Sequence, residues 1–348
     1  MKIQSDLLEI EGQKMANENS KLHSAKRNKR DEFYTQIEDI ERELMHYKKL
    51  FKGKVVYCNC DDPYISSFSE YFTKNFEHLG LKKLMTTCYR SNSADLFSQN
   101  DSEKAIKLEY YGGAENSLPK LSDINVTPLS GDGDFRSKEC IDILKEADIV
   151  VTNPPFSLFT EYVNQLAKYE KKFIIIGHQN AITYKDVFQL IRSNKVWLGY
   201  GFKRNMAFFK APHYEDTATD ADHREGLIRV SGVVWYTNLD HNKRHEEMIL
   251  VEKYTNNEAA YPKYDNYDAI EVSKTQNIPM DYDGAMGVPI TFLTKYNPEQ
   301  FEILGCSYSY GEPTGYHIEG RSFDVSINGE QKYKRLFIRN RKPLKLEQ

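Results

Sequence analysis

A short apolar run, Ala147-Asp148-Ile149-Val150-Val151-Thr152, stops abruptly at Asn153-Pro154-Pro155-Phe156. β-Branched residues dominate the run and a turn signal bounds it, the pattern of a strand buried in a parallel sheet. Two successive prolines remove two backbone donors and fix φ, so the strand ends there and the loop after it is stiff. Residues 54–58, 84–89 and 173–177 are similar short apolar runs, and 107–111 is a further strand candidate. Helical stretches at 66–79, 137–146 and 158–169 separate them. Strands alternating with helices imply βαβ units and an α/β fold with a mainly parallel sheet. Ligands bind at the carboxyl ends of the strands in such sheets. Taken alone, Pro-Pro after an apolar run is only a strand-ending turn. Between a strand and a helix, a rigid loop bearing an amide, carbonyls and an aromatic ring suits gripping a flat, amine-bearing base.

Bulk properties narrow the class. The 348 residues allow one large domain or two moderate ones. A net charge of −4 carries no overall nucleic-acid signal, so any such contact must use a local patch. Cys58, Cys60, Cys88, Cys140 and Cys306 are scattered, and Cys58 and Cys60 lack both the spacing and the distant pair of a zinc site, so no metal is expected. An odd cysteine count without a signal peptide points to a reducing cytoplasm. No apolar stretch reaches membrane-spanning length. The 24 tyrosines lie largely in polar sequence, where they serve either as packing residues with wet hydroxyls or as base-stacking surface.

Three regions are expected. Residues 1–50 are charged and helical, with Leu7, Leu8 and Ile10, then Ile37, Ile40 and Leu44, at helical spacing. Lys21, Lys26, Arg27, Lys29 and Arg30 form a basic cluster there, either a solvated helix face or a phosphate contact. Residues 51–200 hold the strand–helix alternation. After Gly199 the texture changes, and 201–348 forms a third region: 216–225 reads as a loop, 232–237 as an edge or hairpin strand, and 323–339 as a hairpin around Asn328-Gly329.

Asn153-Pro154-Pro155-Phe156 resembles motif IV of the amino-group methyltransferases, which act on DNA adenine or cytosine, RNA, or protein glutamine. An exocyclic amine is a poor nucleophile because its lone pair is delocalised into the ring. Two acceptors bonded to its hydrogens localise that pair on nitrogen. The resemblance assigns these roles to the Asn153 side chain and the Pro154 carbonyl, with Pro155 stiffening the loop. Phe156 would stack on the base, a contact of about 1–3 kcal/mol. No strong base is required, and His178 is either a neighbour of the site or a satisfied structural histidine. Gly131-Asp132-Gly133-Asp134-Phe135 resembles motif III, implying that Asp134 accepts the adenine amino group of S-adenosylmethionine and that Phe135 packs its ring. Asp31-Glu32-Phe33-Tyr34-Thr35 resembles motif X, which places Phe33, Tyr34 and Thr35 beside the donor. Tyr57-Cys58-Asn59-Cys60-Asp61-Asp62-Pro63 occupies the motif I slot without its usual glycines. Asn59, Asp61 and Asp62 are expected to bind the donor through side chains instead, and no acid closes the second strand to hold a ribose.

Together these segments look like the EcoRI-type adenine-specific DNA methyltransferases. Residues 261–270, 287–293 and 295–301 extend the resemblance over most of the chain beyond Arg30. It implies a Rossmann-like S-adenosylmethionine-dependent methyltransferase sheet followed by a mixed α+β target-recognition region. The substrate would be an adenine flipped out of double-stranded DNA at a cost of a few kcal/mol. A cognate restriction endonuclease is the implied system partner, and a monomer in the cytoplasm is expected. Lys203, Arg204, Asn205, His241, Asn242, Lys243 and Arg244 are candidate DNA-facing residues, and Lys332, Lys334, Arg335, Arg339, Arg341 and Lys342 candidate phosphate contacts. For each, a solvated surface charge is the competing assignment. Two other functions fit the motifs: the same chemistry on RNA or protein glutamine, and a catalytically inactive DNA-binding module.

Overall fold

The computed structural model describes residues 34–60, 64, 66–89, 105–113, 124–203, 206–210, 227–307, 316–318 and 324–345. The basic cluster of residues 21–30, Phe33, Asp61, Asp62, Arg204, Asn205 and the expected 216–225 loop lie outside the described residues. The chain is α/β, with a large mixed sheet and several helices.

Strand β1 (Tyr34–Thr35) and helix α1 (Ile37–Leu44) lead into β2 (Val55–Cys58). Helices α2 (Ser67–Lys74) and α3 (Phe76–Leu79) follow, then β3 (Lys83–Thr87), β4 (Ile106–Tyr110) and β5 (Ile124–Pro128). Helix α4 (Lys138–Glu146), β6 (Ile149–Thr152), α5 (Phe159–Lys168) and β7 (Lys172–His178) complete the strand–helix alternation. Helix α6 (Lys185–Arg192), β8 (Trp197–Leu198), β9 (Met206–Lys210), β10 (Ile228–Ser231) and β11 (Val233–Thr237) come next.

The large sheet has the order β5-β4-β3-β2-β6-β7-β11-β8. Its centre, β3-β2-β6-β7, is parallel. Side chains alternate across it, as a strand's two-residue period demands. Val55 and Tyr57 of β2, with Phe173 and Ile175 of β7, face a core built with α4, α5 and α6. Val56 and Cys58, with Ile174 and Ile176, face the opposite core, built with α1, α2 and α3. Burial of each such large side chain stabilises the fold by about 1.5–3 kcal/mol. From β2 the chain runs outward to β3, then returns to place β6 on the other side of β2. The β2/β6 junction is therefore the topological switch point, and its carboxyl end is the crevice where ligands bind in open α/β sheets.

The sheet departs from the mainly parallel one expected. Strands β4 and β5 run as an antiparallel pair at one side, with no helical crossover joining them among the described residues. The segment expected as an edge or hairpin strand, β11, is interior. It pairs antiparallel with β7 on one side and β8 on the other, and Trp235 and Tyr236 are fully buried. The large sheet thus draws strands from both sides of position 200. The single helix expected over 66–79 is two, with Asn75 between them outside helical geometry. Gly80, at φ +62, closes the second in the left-handed conformation usual for a helix C-terminus.

Beyond β11, a four-stranded sheet comprises β12 (Ile270–Glu271), β13 (Met286–Pro289), β14 (Phe301–Cys306) and β17 (Arg335–Asn340), in the order β12-β13-β17-β14. Met286, Val288, Phe301 and Ile338 join the core that contains Val187, Phe188 and Ile191 of α6. The expected hairpin at Asn328-Gly329 forms between β15 (Ser326–Ile327) and β16 (Glu330–Gln331). Both turn residues have positive φ, 52° and 78°, as the two-residue turn favoured by Asn-Gly requires. Strand β17 does not extend this hairpin; it pairs with β13 and β14. Among the described residues, no helix is long and apolar enough to cross a membrane.

Candidate active site

Strand β6 delivers Thr152 and then Asn153 to the switch point. Asn153 and Pro154 are buried, Asn153 only 6% exposed, while Pro155 and Phe156 are half-buried. Pro155 keeps the chain extended, with φ −53° and ψ 127°. The Pro155 carbonyl then accepts the Leu158 amide at 3.0 Å, closing a short turn over Phe156–Leu158 from which α5 departs. The loop is thus a fixed step between strand and helix. Phe156 packs against the core that holds Ala207 and Phe209 of β9.

The loop after β2 lies beside it. The Thr152 hydroxyl donates to the Asn59 carbonyl, tying the two strand ends together. Asn59, 5% exposed, has its side chain turned inward. The Tyr162 hydroxyl of α5 donates to its Oδ1, and the amide also bonds the Tyr57 hydroxyl. The Tyr57 hydroxyl in turn bonds Thr87 Oγ1 at 2.7 Å, at the end of β3. Burial pushes both phenols well above the usual tyrosine range, so both stay neutral. Cys60, next in the loop, adopts φ +81, a left-handed conformation more usual for glycine. The glycine-poor loop therefore still makes the turn, at a cost of about 1–2 kcal/mol.

The turn at residues 131–135 closes the third side. Gly133 has φ +79, and a Cβ there would lie 1.9 Å from the Cys88 carbonyl oxygen just beyond β3. Only glycine permits this approach. Asp134 and Phe135 follow directly. The Phe135 ring meets Tyr162 edge to face at 5.0 Å, and Gln165 Nε2 of α5 donates to the Phe135 carbonyl at 2.9 Å. Asp134 accepts from the Arg136 backbone, Nε and guanidinium at 2.6–2.9 Å. This pairing holds its carboxyl below the usual range, against a smaller opposing effect of burial. Oδ1 takes two of these bonds, and Oδ2, which takes one, keeps acceptor capacity for a further donor.

Tyr34 and Thr35 belong to a separate three-stranded sheet, β1-β9-β10, in which Thr35 pairs with Phe209. This sheet abuts α2, the helix that follows the loop after β2. Thr35 is 2% exposed, and its hydroxyl has no hydrogen-bond partner among the described residues. His178 is satisfied: its Nδ1 accepts from the Asn180 amide at 3.1 Å, and the ring also bonds the Ser231 backbone. Burial lowers its pKa, and it has the surroundings of a structural histidine.

Several candidate DNA-facing residues are not surface charges. His241 and Arg244 are buried. His241 Nε2 bonds the Leu198 carbonyl at 3.0 Å, and Arg244 lies 3.4 Å above the Trp197 ring and bonds Asn194. Both border a cavity of about 10 Å³ against the 290–295 turn, room for about one water and far too small for a base. Arg335 is committed to a buried ion pair with Glu271 at 2.7 Å. Arg339 is partly exposed beside Glu302 and Tyr316, and Lys334 Nζ reaches Thr183 Oγ1, in the segment after β7, at 3.2 Å. The spacing of basic residues could not reveal this difference, because it depends on what the fold packs against each one: Arg335 and Arg339 share a face of β17, yet only Arg335 meets the buried Glu271. Sequence reasoning also missed Thr152 and Tyr162, which join the loops. Their only signal was position, one residue before motif IV and on the buried face of the next helix.

The family model described as "Adenine-specific methyltransferase EcoRI" matches residues 21–341. The chain is 50% identical over 328 residues to the type II methyltransferase M.EcoRI of Escherichia coli, covering 93% of this chain and 97% of that one. It is 38% identical over 331 residues to M.MgeORF184P of Mycoplasma genitalium, covering 91% and 98%. It is likewise 38% identical over 333 residues to M.MpnI of Mycoplasma pneumoniae, covering 92% and 98%. No solved structure matches it. The chain belongs to the EcoRI family of adenine-specific methyltransferases, and DNA adenine methylation is the activity that membership carries.

Proposed function

We propose that the protein transfers a methyl group from S-adenosylmethionine to the N6 of an adenine flipped out of a specific double-stranded DNA site. The observation that carries this reading is the meeting of three segments at one switch point: the buried Asn153 loop, the Asn59 loop and the 131–135 turn. S-adenosylmethionine supplies an electrophilic methyl group when bound. Three features of the chain fit it: the ionised Asp134, the aromatic Phe135, and the buried Thr35 hydroxyl that has no partner among the described residues. Asp134 would accept the donor's amino group, Phe135 would pack its ring, and Tyr34 and Thr35 would line its far side. Asn59 would act through the shape it gives its loop, since its side chain is bonded from within. Phe33, Asp61 and Asp62 complete the proposed donor set.

On the substrate side, Asn153 Oδ1 and the Pro154 carbonyl would accept the two N6 hydrogens and localise the lone pair on nitrogen. Pro155 holds that geometry, and Phe156 stacks on the base. The flipping cost of a few kcal/mol is offset in part by stacking of about 1–3 kcal/mol. The region after β11, with Lys334 reaching the segment after β7, is our candidate for target recognition. Residues 1–50 would serve the donor site, and 51–200, with β11, would form the Rossmann-like core. A monomer acting in the cytoplasm, with a cognate restriction endonuclease as system partner, completes the proposal.

Incubation with radiolabelled S-adenosylmethionine and DNA, RNA or protein tests it. Label is expected in DNA adenine and nowhere else, and Asn153→Ala is expected to abolish transfer while donor binding persists. Label confined to RNA or protein, or full turnover by Asn153→Ala, would refute the reading.

A further inference from the structure

One helix touches each of the three segments that meet at the switch point. On α5, Tyr162 and Gln165 are three residues apart and share a face. Gln165 holds the carbonyl of Phe135, and the Tyr162 ring lies against the Phe135 ring. The Tyr162 hydroxyl donates to Asn59 Oδ1, and the Asn59 carbonyl accepts the Thr152 hydroxyl. Thr152 is the residue from which the chain passes to Asn153. A continuous set of contacts therefore runs from the 131–135 turn, through Tyr162 and Asn59, to the backbone that presents Asn153. Tyr162, Asn59 and Thr152 are all at least nine-tenths buried, so water cannot readily replace a lost partner.

We propose that Tyr162 is a positioning residue that couples the donor pocket to the Asn153 receptor through Asn59 and Thr152. This rests on the reading of the site given above. The Tyr162 hydroxyl fixes the Asn59 amide, and that orientation keeps the Asn59 carbonyl aimed at Thr152. A receptor held this way stays aligned with the donor, because the same helix also fixes Phe135. Without the hydroxyl, Asn153 remains in place on average but is less sharply oriented, and the loss falls on turnover rather than on DNA affinity.

A double-mutant cycle tests the coupling directly. Tyr162→Phe keeps the ring against Phe135 and deletes only the hydroxyl, while Thr152→Val deletes the second donor at nearly constant volume. Each single variant is expected to lower kcat, at saturating donor and DNA, by roughly tenfold. The double variant should lose about as much as either alone, well short of the product of the two losses. Thr152→Ser keeps a hydroxyl and should recover most of the lost kcat. A merely structural role would lower the melting temperature and leave kcat of the folded protein, and base flipping read by 2-aminopurine emission, at wild-type values. That result, or losses that multiply in the double variant, overturns the proposal. Should Tyr162→Phe fail to fold, the Thr152 pair decides: equal kcat for the valine and serine variants also overturns it. Asn153→Ala, assayed alongside, separates the two levels. If that variant keeps turnover, the receptor assignment itself fails; if it loses turnover while Tyr162→Phe and Thr152→Val keep theirs, only the coupling fails.

Discussion

Gly133→Ala tests the proposed donor pocket most sharply. The native φ of +79 places the new residue in a left-handed conformation, at a cost of about 1–2 kcal/mol. The added Cβ would also lie 1.9 Å from the Cys88 carbonyl oxygen and 3.2 Å from the Ala105 Cβ. Neither neighbour is the end of a flexible side chain, so the turn must move, adding about 1–3 kcal/mol of overpacking. The expected loss of stability is about 2–5 kcal/mol. Against a typical net stability of about 5–15 kcal/mol, this leaves a folded but weakened protein. Guanidinium titration should show a lowered midpoint with an unchanged slope. Drawing Asp134 away from the donor's amino group forfeits a charged-group hydrogen bond of about 1.5–3 kcal/mol and should weaken donor binding by about 10–100-fold, measured by equilibrium dialysis with labelled donor. Gly131→Ala is the internal control: its Cβ meets nothing within 4 Å and its φ is not left-handed. If Gly133→Ala lowered the midpoint yet matched Gly131→Ala in donor affinity, the placement of the donor beside this turn would be wrong; an unchanged midpoint would refute the steric argument itself.

Three other substitutions probe separate parts of the molecule. Phe156→Ala should weaken the grip on a flipped base by about 1–3 kcal/mol, seen as reduced 2-aminopurine emission in the DNA complex, and undiminished emission removes stacking from its role. Arg335→Gln leaves Glu271 buried without its charge partner and should cost about 3–5 kcal/mol of stability. It should not alter the slope of DNA affinity against salt; a flattened slope would return Arg335 to the phosphate contacts. His241, pulled down to about 4 by burial, binds fewer protons folded than unfolded. Its contribution is therefore complete above the unfolded pKa of about 6.5 and is lost as pH falls from there towards 4, an effect on the order of 2–3 kcal/mol. His241→Asn should flatten the dependence of melting temperature on pH across that window, and an unchanged dependence assigns the titration elsewhere.

Strongly patterned elements were legible in the sequence. The run ending at Thr152 announced a buried strand because both of its faces are covered, and the two prolines marked its end to the residue. Asn328-Gly329 announced its hairpin because few other pairs tolerate two left-handed residues. Strand β11 was harder to place. Its apolar run fits an edge or a centre equally well, and only its pairing with residues far back in the chain put it inside the sheet. Strand β5 was missed because four of its five residues are exposed, which leaves no apolar run to detect. At the site, the residues with a distinctive motif could be named in advance. The connections between them could not, since Tyr162 is an ordinary aromatic of a helix core until the loop after β2 folds against it. Basic residues were least legible of all: Arg335 and Arg339 lie four apart on one strand, yet one is buried in an ion pair and the other is partly exposed.

The interior position of β11 has a consequence for how the chain is made. Strand β7 presents its outer edge to Val233–Thr237, and Thr237 Oγ1 and the Tyr236 hydroxyl also cap the Phe173 and His178 carbonyls. A nascent chain that has left the ribosome only as far as β7 carries a hydrophobic strand with a bare edge. At roughly 5–20 residues per second, about 60 further residues take roughly 3–12 s to synthesise. During that interval the half-built sheet is open to pairing with other chains. Translation speed and chaperone supply across this stretch should therefore govern the yield of folded enzyme more strongly than its final stability does, and a fragment ending near residue 200 should aggregate rather than fold.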